Sequence, residues 1–91
     1  MSEPNRIPIE LVQLLELLIK NTYTKSDLHQ AVAAARHKET NNLSTQNIEE
    51  EFTRRAESVD LGDAGAREIL AEDAEAALAK LTSDPRFVIV N

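Results

Sequence analysis

Ile9-Glu10-Leu11-Val12-Gln13-Leu14-Leu15-Glu16-Leu17-Leu18-Ile19-Lys20 is the most apolar run in the chain, and its period decides the fold. Wound at 100° per residue, Leu11, Leu14, Leu15 and Leu18 fall on one dense stripe, with Val12 and Ile19 widening it. Glu10, Gln13, Glu16 and Lys20 hold the opposite side in water. The apolar arc exceeds half the circumference, wider than a surface helix carries. Such a helix is either central to a bundle or shared between two partners. Pro8, just ahead of it, suits a first turn that needs no backbone donor.

Working outward, Asn21 to Thr24 break the period. Thr24 and Asp27 have capping-box spacing, with Ser26 as the competing cap. The following helix is expected over 25–38, with Leu28, Ala31, Val32 and Ala35 on its inner face. Asn41 and Asn42 end it. Leu43 before Ser44 and Ile48 four residues after it read as a hydrophobic staple around a Ser44 N-cap, opening a helix over 44–59. Ile48, Phe52, Ala56 and Val59 form its apolar side, and Glu50–Arg54 and Glu51–Arg55 are favourable pairs on its surface. Both glycines, Gly62 and Gly65, sit in the next turn. Asp63 is the expected N-cap of a fourth helix over 63–81, whose inner face carries Ile69, Leu70, Ala74, Ala77, Leu78 and Leu81. Pro85 blocks its continuation. Residues 86–90 are aromatic and β-branched, hence strand-like. Both faces of that tail are apolar, so it must pack on the helices or pair with a strand, from residues 5–7 or from another copy.

The expected architecture is therefore all-α: one small domain over 1–91, a four-helix bundle with a short extended C-terminal segment. With 42% apolar residues in 91, the chain can make one limited core. Twelve of those apolar residues are alanines, which bury little area each and favour a thin core or one shared in a dimer.

The net charge of −6 disfavours nucleic acid and anionic lipid as partners. The acid is concentrated beyond residue 43; the first half is balanced. No cysteine is present, which fits a reducing, cytoplasmic setting and removes thiolate metal sites. The N-terminus lacks the order of a secretory signal, and residues 7–19 are too short and too polar to span a bilayer.

No residue group reads as catalytic, cofactor-binding or metal-binding. His29 and His37 share a helix, but about 12 Å of rise separates them, too far for one metal. A calcium loop begun at Asp60 fails where Gly62, Ala64 and Ala71 replace oxygen ligands. Asn42-Leu43-Ser44 matches a glycosylation acceptor, but a capping Ser44 accounts for it.

What remains is surface. The leading expectation is a non-enzymatic interaction or regulatory module, self-associating as a homodimer or bound to another protein. Val12 and Ile19 on the first helix and Phe87 and Ile89 in the tail would supply burial. Glu68, Glu72 and Glu75 share one helix face, answered in that stretch only by Arg67. An acidic inhibitor of a basic partner, of the antitoxin or immunity type, would use that face. A helix-turn-helix DNA reader is the other alternative, with Ser44, Thr45, Gln46 and Asn47 heading a recognition helix and Arg54 and Arg55 on phosphates. Against it stand the long connection, the glutamates at 49–51 and the helix before the tail.

Overall fold

Pro8 closes one element and opens the next. In the computed structural model, which describes residues 3–36 and 38–91, strand β1 (Asn5–Pro8) runs directly into helix α1 (Ile9–Lys20). Pro8 is the N-cap of α1, extended at φ −60° and ψ 136° rather than inside the first turn. Helix α2 (Lys25–Arg36), helix α3 (Leu43–Ser58) and helix α4 (Ala64–Ser83) follow, and strand β2 (Phe87–Val90) ends the chain. The all-α bundle with a short extended tail is the observed architecture, with one addition: the tail pairs with β1 as a two-stranded parallel ribbon.

The leucine stripe sits at the centre. Leu11, Leu14, Leu15 and Leu18 are fully buried, and α1 packs against both α2 and α4. Each leucine withdrawn from water contributes roughly 1.5–3 kcal/mol, so this stripe dominates folding. The wide apolar arc is thus spent on two neighbours within one chain. Val12 is buried too, at 6% exposure, and Ile19 is half-buried against the core. Val12 is thus taken up inside the monomer, while Ile19 keeps part of its surface.

Side-chain caps define most of the helix starts. The Thr24 hydroxyl accepts from the Asp27 amide at 3.1 Å while the Asp27 carboxylate accepts from the Thr24 amide at 3.0 Å, the capping box at the head of α2. Asp63 accepts from the Ala66 amide at 3.1 Å and caps α4 as expected. At α3 the cap is Asn42, not Ser44: its side-chain oxygen accepts from the Thr45 amide at 2.7 Å. Helix α3 therefore begins at Leu43, which is 69% exposed, and the staple with Ile48 does not form. Helix α2 stops at Arg36, short of the expected 38; the Lys38 amine reaches Glu10 on α1 at 3.2 Å instead. His37 lies outside the described residues. Helix α4 runs two residues past the expected end, to Ser83. Ile69, expected inside, is 58% exposed, while Leu70, Ala74 and Leu81 carry the inner face.

Arg67 pins the bundle together. Asn21 ends α1 in the left-handed conformation, at φ 56°. From the first turn of α4, Arg67 donates Nε to the Asn21 side-chain oxygen at 2.9 Å and Nη2 to the Asn21 carbonyl at 3.1 Å. Its Nη1 reaches the Leu61 carbonyl at 3.2 Å, and its guanidinium lies 4.6 Å from the centroid of the buried Tyr23 ring. A cation is thereby held on the negative end of α1, over an aromatic face. Arg67→Ala should lower the unfolding free energy by about 2 kcal/mol in urea titration. Arg67→Lys should recover less than half of that loss, because an ammonium cannot reproduce the planar fork.

Candidate interaction surface

A parallel pair of strands leaves two edges, and here they differ in kind. The register sets Asn5 against Phe87, Arg6 against Val88, Ile7 against Ile89 and Pro8 against Val90. The Asn5 amide donates to the Arg86 carbonyl at 2.7 Å. Alternation along the ladder then turns the backbone groups of Asn5, Ile7, Val88 and Val90 inward, and those of Arg6, Phe87 and Ile89 outward.

The outward groups of β1 are covered by side chains. The Arg6 amide donates to the Asn41 side-chain oxygen at 2.8 Å, and the Asn41 side-chain NH2 donates to the Pro4 carbonyl at 2.9 Å. The Asn42 NH2 approaches the Arg6 carbonyl at 3.4 Å. A carboxamide carries the same donor and acceptor as a peptide unit, so Asn41 stands where a third strand would bond. Pro8 has no amide hydrogen to satisfy.

The outer edge of β2 has no such cover. The Phe87 amide closes a turn onto the Asp84 carbonyl at 3.1 Å. The Phe87 carbonyl and both backbone groups of Ile89 have no partner in the chain among the described residues. Val88, Ile89 and Val90 are 39%, 47% and 36% exposed, and all four β2 residues are uncharged. Phe87, by contrast, is half-buried against the core. Natural sheet edges are usually blunted by lysine, proline or a covering loop, and β2 has none of these within its four residues.

Asp84 positions this strand. Its carboxylate accepts from the Arg86 amide at 2.9 Å and from the Arg86 guanidinium at 2.7 Å. The Arg86 side chain, then the Arg86 amide, hold the Asp84 carboxyl below the usual carboxylate range, and the Arg86 pKa is raised in turn. The two charges beside β2 therefore cancel locally.

The other sequence-nominated residues fall elsewhere. Glu68, Glu72 and Glu75 are exposed on α4, and none has an ion pair among the described residues. Arg67, the cation nearest them in sequence, is turned away onto Asn21. Asp73 instead meets Arg55 at 2.8 Å, and Arg55 also meets Glu51 at 3.2 Å. Of the recognition-helix candidates, Thr45 is fully buried and Gln46 donates to Glu50 at 3.2 Å; Ser44, Asn47 and Arg54 are exposed. Asn41 and Asn42 matter most to the edge beyond what was nominated. The signal for the asparagines was present as two adjacent carboxamides after a helix, but a turn explains that pair equally well.

A shallow groove of about 700 Å3 lies between α2 and α3, floored by Leu28, Val32 and Ala56, with Lys25, His29 and Arg36 at its rim. Arg36 is ion-paired with Glu57 across it. Among the described residues no group of three or more His, Asp or Glu is placed to hold a metal, and no helix is long and apolar enough to cross a membrane.

Because the folded Asp84 pKa is depressed, its contribution is present above the ordinary value of 3.8 and is lost as pH falls through the folded value. Acid titration should therefore loosen the turn into β2, seen as a lower protection of the Phe87 amide relative to its intrinsic exchange rate at each pH, whereas Asp84→Asn should show low protection at neutral pH as well. Comparison of the chain with family models, curated proteins and solved structures finds no match.

Proposed function

We propose that this chain is a non-enzymatic protein-interaction module that takes up an extended segment along the open edge of β2. One observation carries the reading: a strand edge with unpaired backbone groups, three exposed aliphatic side chains and no charge, on a molecule whose opposite edge is satisfied by its own asparagines. Strand addition draws affinity from main-chain hydrogen bonds and selectivity from alternate side chains, and this edge offers both. The absence of cysteine suits a reducing, cytoplasmic setting.

The test is titration of the isotopically labelled chain with a soluble strand-forming peptide of alternating valine and threonine. The amide resonances of Ile89 and Asn91 should shift, and an Ile89→Lys chain should not respond. Shifts confined to α4, or none, would overturn the reading.

A second reading rests on the acidic face. Glu68, Glu72 and Glu75 repel one another without local compensation, and a basic protein surface would relieve that strain. An inhibitor acting this way would associate fast and lose affinity with salt. Replacing all three by Gln should leave the melting temperature within a few degrees and weaken capture of a basic partner at least tenfold. An unchanged affinity would remove the face from consideration. A nucleic-acid role for residues 44–47 finds less support, since Thr45 is buried and Arg55 is shared by two carboxylates.

A further inference from the structure

We infer that the extended segment taken up by β2 is β2 of a second copy, joined antiparallel about a two-fold axis at Ile89. The inference rests on the strand-addition reading and names its occupant.

Two features of the edge are self-complementary. The first is hydrogen bonding. In an antiparallel pair centred on Ile89, the two Ile89 residues exchange both bonds, each amide to the other carbonyl. The next outward positions are Phe87 and Asn91. There the Phe87 carbonyl of each copy can accept from the Asn91 amide of the other. The Phe87 amide is already engaged by the Asp84 carbonyl. Centring on Ile89 does not depend on releasing it, whereas pairing Phe87 with Ile89 would. The turn thus selects a register.

The second feature is charge. The chain carries −6 overall, yet β2 carries none, and Asp84 and Arg86 neutralise each other beside it. Two copies meeting here bring no like charges face to face, although the bodies behind them repel. A two-fold arrangement is also closed, giving the ribbon order β1-β2-β2-β1.

A four-residue edge buries well under the roughly 1,000 Å2 of a stable interface, so the dimer is weak and dissociates on dilution.

Sedimentation equilibrium from about 10 μM to about 1 mM should show the mass rising from 10.1 kDa toward twice that value. The Ile89 amide should exchange more slowly as concentration increases. Because the bodies repel, raising NaCl from about 50 to about 500 mM should strengthen association several-fold, the reverse of an acidic face meeting a basic partner. Ile89→Lys and Ile89→Pro should both remain monomeric with α-helical circular dichroism unchanged; the proline removes an amide that the ladder with β1 does not use. A chain that stays at 10.1 kDa throughout, with an Ile89 amide insensitive to concentration, overturns the inference. So does a dimer that persists in both variants. If that monomer nonetheless shifts at Ile89 with the valine–threonine peptide, strand addition stands and only the second copy is wrong; if it does not, both fall.

Discussion

Burial of α1 between α2 and α4 is the constraint on which the molecule depends. Its four central leucines are inaccessible to water, and no other helix has a comparable stripe. Alanine at positions such as Ala35, Ala56 and Ala74 lets the surrounding helices approach closely, but contributes little transfer energy of its own. The core is therefore one well-filled row rather than a broad interior. Polar clasps such as Arg67 on Asn21 fix the angle at which the outer helices meet that row.

The ribbon follows from the same constraint. Pro8 starts α1 immediately after β1, so placing α1 at the centre also places β1 beside the core, where Ile7 is buried. Helix α4 packs along α1, and the short turn after Ser83 brings Phe87 back beside Asn5. Parallel strands need a long crossover, and here four helices supply it. The tail is thus held by pairing with β1 and by Phe87, not by burial of its remaining side chains.

Much of this was legible in the sequence, for identifiable reasons. The leucine period, the Thr24–Asp27 box, the Asp63 cap and Pro85 each act over three or four residues, so local reading found the helices to within a turn. The strand character of the tail was equally local. Three things were not. The width of the α1 arc is the same whether it meets two helices or one helix and another copy, so Val12 and Ile19 were read as interface, whereas Val12 is buried and Ile19 is half-buried against the core. Ser44 and Asn42 are both good caps by composition; Asn42 wins because its NH2 also faces the Arg6 carbonyl, a contact spanning 36 residues that no local pattern contains. Ile69 satisfies the helical period, but α4 touches α3 only lightly, and an apolar residue on that side stays wet. For the candidate surface, the tail was visible as an unmet need for burial. Its one-sidedness was not, because that depends on which backbone groups the parallel register turns outward.

The two asparagine side chains that seal β1 have a consequence for growth. An exposed aliphatic strand is ordinarily a hazard, since each molecule added offers a fresh edge to the next and the stack lengthens into a fibril. A second copy that docked on β2 through its own β2 would bring a far side already bonded to Asn41 and Asn42 and interrupted by proline, so that addition would stop after a single step. Sealing β1 thus limits how far the open edge could propagate.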